Sequence, residues 1–73
     1  MSKLPIISGR NLIKILNKIG YREVRQRGSH IRLACHTRKS VTVPDYRTID
    51  RSLLIKILRD AELSVEEFIN LTR

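Results

Sequence analysis

Arg25, Arg27, His30 and Arg32 flank a Gly28-Ser29 turn signal in the most cationic segment of the chain, between Arg22 and Lys39. Histidine serves as a base at neutral pH because its unperturbed pKa is about 6.5. Arginine offers forked donors that match phosphate oxygens. Together these residue types suit attack on a phosphodiester. Such chemistry needs a base, guanidinium groups to carry the charge that builds on phosphorus, and a proton donor for the leaving oxygen. Each residue also has a plainer reading: His30 as an ordinary strand-start residue, Ser29 as turn chemistry alone.

The turn decides where these side chains point. Gly at the first central position suits a two-residue type II′ hairpin. Arg27 then lies opposite His30 and Arg25 opposite Arg32. The two-residue period of a strand puts all four on one face. Ile31, Leu33 and Cys35 point to the other face, and Val24 joins them opposite Leu33. Like charges directly opposed cost stability, so a counter-anion is expected. Backbone amides at Gly28-Ser29 add an anion nest.

A second turn at Thr37-Arg38-Lys39 predicts pairing of Cys35 with Val41 and of Leu33 with Val43. Continued past Pro44, that register sets Tyr46 beside His30, as a candidate donor for the leaving oxygen. Arg38 and Lys39 read as solvated turn residues with incidental phosphate contact. His36 shares the parity of His30 but lies about 20 Å away along a strand, too far to pair with it. With Cys35 alone and no carboxylate cluster, no metal site or other cofactor is expected. Cys35 itself reads as a small core side chain. Tyr21 reads as packing rather than a base-stacking platform.

The surrounding pattern supplies the scaffold. Leu12, Ile13, Leu16 and Ile19 recur at helical spacing, with Ile15 widening the stripe. Ser8 is the N-cap, Ile7 and Leu12 the hydrophobic staple, and Gly20 the stop. Strands are predicted over 21–27, 30–36 and 40–44, with Pro44 acceptable on an edge strand. A second helix runs from Asp50 to Ala61 on Leu53, Leu54, Ile57 and Leu58, capped by Asp50 with an Ile49/Leu54 staple. A short third helix starts at Ser64, where Ser64 and Glu67 form a capping box beside a Leu63/Phe68 staple. The order is α-β-β-β-α plus a terminal turn of helix. That is an α+β fold with two helices on one face of a three-stranded antiparallel sheet, the other face open to water.

Size and charge narrow the function. The chain has 73 residues and a net charge of +8. One domain over 1–73 is expected, with a shallow surface site rather than a deep cofactor pocket. A field of this sign favours polyanions, nucleic acid above all. Few aromatics argue against single-strand binding by stacking. No apolar run reaches the roughly 18 residues a membrane span needs. Met1-Ser2-Lys3-Leu4-Pro5 lacks the apolar core of a secretion signal, so a cytoplasmic location is expected.

The residues also resemble a known family. Ser8-Gly9, Leu12-Ile13, Leu16, Gly20-Tyr21, Arg25-Gln26, Gly28-Ser29-His30, Val41-Thr42-Val43-Pro44 and Ile57-Leu58 are similar in order and spacing to the HicA toxins. The resemblance implies a fold like a double-stranded-RNA-binding domain. It implies an endoribonuclease that cleaves messenger RNA, held inactive by a HicB-type antitoxin in a hetero-oligomer. It maps the family's catalytic histidine to His30. The chain departs from the pattern after Val43-Pro44, where Asp45 and Tyr46 stand and the frequent histidine is missing. Arg47-Thr48-Ile49-Asp50-Arg51-Ser52 likewise lacks the usual Gly-Thr.

Three functions therefore compete: an endoribonuclease toxin, a non-catalytic RNA-binding module on the same basic face, and an interaction protein that binds an acidic partner. Only the first requires His30. In the RNA-binding readings the contacts come from Arg25, Arg27, Gly28, Ser29, Arg32, Arg38 and Lys39.

Overall fold

The computed structural model describes residues 4–73; Met1, Ser2 and Lys3 of the leader reading lie outside them. The elements are α1 (Gly9–Asn17), β1 (Arg22–Arg27), β2 (His30–Ala34), β3 (Val41–Pro44), α2 (Arg51–Asp60) and α3 (Val65–Leu71). The strands form one antiparallel sheet in the order β1-β2-β3. This is the predicted α+β order, and it matches a double-stranded-RNA-binding-domain-like architecture.

Local chemistry sets the helix ends. The Ser8 hydroxyl accepts from Asn11 N at 3.1 Å, and Asp50 accepts from Leu53 N at 2.8 Å. Ser64 and Glu67 bond reciprocally at 2.9 and 3.0 Å, a complete capping box. Past α1, Gly20 N donates to Asn17 O and Tyr21 N to Leu16 O, with Gly20 at φ 102°. These are the paired bonds of a Schellman closure, in which the left-handed position favours glycine.

The core lies between the helices and the inner face of β2 and β3. Leu12, Leu16, Ile31, Leu33, Val41, Val43, Leu54 and Phe68 are buried there. Tyr21 is buried with them, as a packing residue, and its hydroxyl donates to Lys39 O at 2.6 Å. Desolvation raises its pKa, helped by the neighbouring Cys35. Ile49 N donates to Ile7 O at 2.8 Å, which ties the chain ahead of α1 to the chain ahead of α2.

Two register expectations need correction. Glu23, not Val24, pairs with Leu33, while Arg25 keeps its place opposite Arg32. Val24 is the extra residue of a bulge and is 60% exposed. The helices contact β3, whereas every residue of the outer strand β1 is exposed, so no apolar surface draws Val24 inward. Glu23 instead reaches Arg10 of α1 at 3.6 Å.

In the second hairpin, Ile31 pairs with Val43 and Leu33 with Val41. The shift from the predicted pairing is two residues, which preserves parity and leaves both valines in the core. The connecting loop spans 35–40 rather than 37–39, because its residues are held by the body of the protein. Arg38 Nη1 donates to Ala61 O at 2.8 Å and Glu62 O at 3.1 Å, and Lys39 O accepts from Tyr21. Arg38 is thus a bonded residue at the C-terminal end of α2, not a solvated one. Cys35 falls outside β2 and is only partly buried. Its Sγ lies 3.6 Å from Thr37 Oγ1 and 3.7 Å from Ile19 O. The backbone and hydroxyl of Thr37 lower its pKa.

Candidate nucleic-acid interface

The β1–β2 turn that introduces His30 is braced from both sides. Gly28 has φ 59° and Ser29 stays out of the left-handed region, the pattern of a type II′ corner. A Cβ on Gly28 would meet nothing within 4 Å, so the dihedral angle and not crowding selects glycine. Gln26 Nε2 donates to Gly28 O at 3.0 Å on one side. Asp45 N donates to Ser29 O at 2.6 Å on the other.

His30 opens β2 between Arg27 on β1 and Pro44 on β3. Burial alternates along β2: Ile31 and Leu33 are fully buried, while His30 is exposed and Arg32 half-buried. Arg25, Arg27, His30, Arg32 and Thr42 line one shallow depression of about 180 Å³ on the sheet face away from the helices. Arg32 Nη1 donates to Thr42 Oγ1 at 3.0 Å.

The electrostatics of the depression are one-sided. The carboxylates near the sheet go elsewhere: Glu23 and Asp45 both pair with Arg10, at 3.6 and 3.4 Å. Among the described residues, Arg25, Arg27 and Arg32 have no carboxylate partner. Three guanidinium groups and an imidazole thus converge without internal neutralisation, a surface that an external anion would complete. Among the described residues no three His, Cys, Asp or Glu side chains are grouped to hold a metal ion.

The other predicted site residues lie elsewhere. Because His30 faces Pro44, Tyr46 is carried two residues beyond the position that register gave it. Tyr46 O accepts from Gly9 N at 2.9 Å, and its side chain is half-exposed. Arg38 and Lys39 sit in the loop after Ala34, at the end of β2 opposite His30 and about 13 Å along the strand or more. His36 lies at that same far end.

In the sequence, Thr42 and Gly9 stand only as positions of the family resemblance, with no role at the site. Thr42 lies opposite Arg32, whereas the expected register sets it opposite Ala34. Gly9 packs so tightly that an added Cβ would stand 1.9 Å from Pro44 O, a tertiary contact with no local signature.

The fold and this face define a class: a small basic α+β domain with helices on one side of its sheet and an open cationic face on the other. The family model for the HicA toxin of bacterial toxin–antitoxin systems matches residues 9–63. The chain belongs to that family. Its members are toxins, so the chain is the toxin component of a toxin–antitoxin system and has an antitoxin as partner. No curated protein and no solved structure matches the chain. The matched span includes Gly9 and the whole depression and ends before α3. Among the described residues no helix is long and apolar enough to cross a membrane.

Proposed function

We propose that this toxin is an endoribonuclease that cleaves messenger RNA without a metal ion, with His30 as the base. The observation that supports this most is the company His30 keeps: Arg25, Arg27 and Arg32 line the same depression and lack carboxylate partners among the described residues. In this reading, His30 takes the 2′-hydroxyl proton and the 2′-oxygen attacks phosphorus. The P–O5′ bond breaks, leaving a 2′,3′-cyclic phosphate and a 5′-hydroxyl. Arg32 neutralises the phosphorane, and Arg25 and Arg27 hold neighbouring phosphates. With His30 opposite Pro44, the proton for the 5′-oxygen comes from substrate-bound water, and Tyr46→Phe tests the phenol as the alternative source. The chain acts as a single domain in the cytoplasm, and its antitoxin is of the HicB type, binding as a hetero-oligomer.

The experiment is cleavage of RNA in the presence of a chelator, comparing an all-ribose strand with one carrying a single 2′-deoxyribose at the cleaved position. The deoxy strand should bind and resist cleavage there. Cleavage of the deoxy linkage would rule out attack by the 2′-oxygen.

A second reading is RNA binding without cleavage. It is favoured by one observation: among the described residues no side-chain hydrogen bond orients the His30 ring, whereas Arg32 is held by Thr42. Persistent binding with no cleavage by the wild type would select it.

A further inference from the structure

Arg32 and Thr42 face each other across β2 and β3, and Arg32 Nη1 donates to Thr42 Oγ1 at 3.0 Å. That bond uses one of the five guanidinium donors and one lone pair of the hydroxyl. The hydroxyl proton stays available, as do the remaining guanidinium donors. Among the described residues no acceptor takes that proton. Donation into a hydroxyl oxygen polarises its O–H and makes it a better donor.

The three arginines of the depression are not equivalent. Arg25 and Arg27 are exposed on the outer strand β1, and Arg32 is half-buried on the central strand. Of the three, only Arg32 has a side-chain hydrogen bond among the described residues. A guanidinium already held loses little freedom when it meets a ligand.

We infer that Thr42 and Arg32 form a two-point phosphate clamp. Thr42 holds Arg32 through its oxygen and donates its own proton to a phosphate oxygen beside it. This rests on the RNA-binding reading of the face and specifies what is recognised there: the phosphodiester of the strand, not a base. No aromatic side chain lines the depression, so bases gain no stacking surface in it.

The test uses a 2′-O-methyl RNA strand, which binds but cannot be cleaved by 2′-oxygen attack. Its affinity is measured for wild type, Thr42→Val, Thr42→Ser, Arg32→Ala and the Arg32→Ala/Thr42→Val double variant. Valine keeps the branched shape and strand preference of threonine, and denaturation midpoints report that each variant folds. Thr42→Val should weaken binding about tenfold, as loss of a charge-assisted bond does. Thr42→Ser should stay within about twofold of wild type. In the Arg32→Ala background, Thr42→Val should cost clearly less than it does in wild type, since the part of its effect that acts through Arg32 is already gone and coupled residues are not additive. Arg32→Ala should also reduce the salt slope by about 0.7. A Thr42→Val variant that binds like wild type, or whose loss adds in full to that of Arg32→Ala, overturns the clamp while leaving the RNA reading intact. Inorganic phosphate followed by NMR at the Arg32 and Thr42 amides separates the two claims further. Shifts in wild type and not in Thr42→Val support the clamp even if RNA does not bind. Absence of both phosphate shifts and RNA binding overturns both.

Discussion

Gly9 backs directly onto Pro44: a Cβ on Gly9 would stand 1.9 Å from the Pro44 carbonyl oxygen and 3.0 Å from its carbonyl carbon. Gly9 N also donates to Tyr46 O at 2.9 Å. The first turn of α1 is therefore clamped to the end of β3, and the same stretch pairs with His30 and ties Ser29 through Asp45. The helix–strand contact behind the sheet sets the strand end in front of it. Gly9→Ala must push backbone against backbone. It should lower stability by about 1–3 kcal/mol, the cost of overpacking, measured by urea denaturation. A variant as stable as wild type would show that the contact is not tight.

Arg38 closes α2, at the end of β2 away from His30. Its guanidinium bonds to Ala61 O, the C-cap carbonyl of α2, and to Glu62 O just past it. Arg38→Ala should cost about 1–2 kcal/mol of stability. RNA affinity and its salt slope should be unchanged in the folded fraction. A reduced salt slope with unchanged stability would restore Arg38 to the interface.

Glu62 holds φ 60° at the end of α2, where Leu63 N donates to Leu58 O and Glu62 N to Arg59 O. This is the closure that Gly20 makes after α1, occupied here by a residue with a Cβ. Glu62→Gly should relieve that strain and raise stability by about 0.5–1 kcal/mol, read as a higher thermal midpoint. The backbone carbonyl that Arg38 uses is retained. A lower midpoint would mean that the entropy of glycine in the unfolded chain outweighs the relief.

The capping box of α3 carries a pH dependence. The Ser64 backbone amide, and next its hydroxyl, hold the Glu67 carboxyl below its ordinary value of 4.5. A carboxylate depressed in the folded state contributes stability above its unfolded value and loses it as pH falls through the folded one. The stability difference between wild type and Glu67→Gln should therefore be constant at neutral pH and shrink in acid, below about pH 4.5. A difference independent of pH would mean that the charge contributes nothing to the cap.

What could be read from sequence follows how local its causes are. Ser8, Asp50 and the Ser64/Glu67 pair announce helix starts because a cap is satisfied within three residues. Gly28-Ser29 fixed the pairing of Arg27 with His30 because a two-residue turn leaves one register. The second hairpin had no such constraint. Its loop length is set by Arg38 reaching α2 and by the Tyr21 hydroxyl reaching Lys39 O, contacts between distant parts of the chain. The bulge at Val24 was hidden for a related reason, since only the packing of the helices over β3 shows that the outer strand needs no apolar residue. The basic face survived both errors, because a two-residue slip preserves parity and the bulge ends before Arg25. The neighbour assigned to His30 did not survive, and Pro44 stands where Tyr46 was expected.

The most direct test of the central claim is the single-turnover rate of RNA cleavage by wild type and His30→Ala, with a chelator present and with binding to uncleavable RNA measured in parallel. His30 is exposed and opens an otherwise well-braced strand, so its removal should leave the fold intact. The account predicts a rate loss of about 10²–10⁴-fold, as for removal of a general base, with affinity little changed. Cleavage by His30→Ala at the wild-type rate would contradict it.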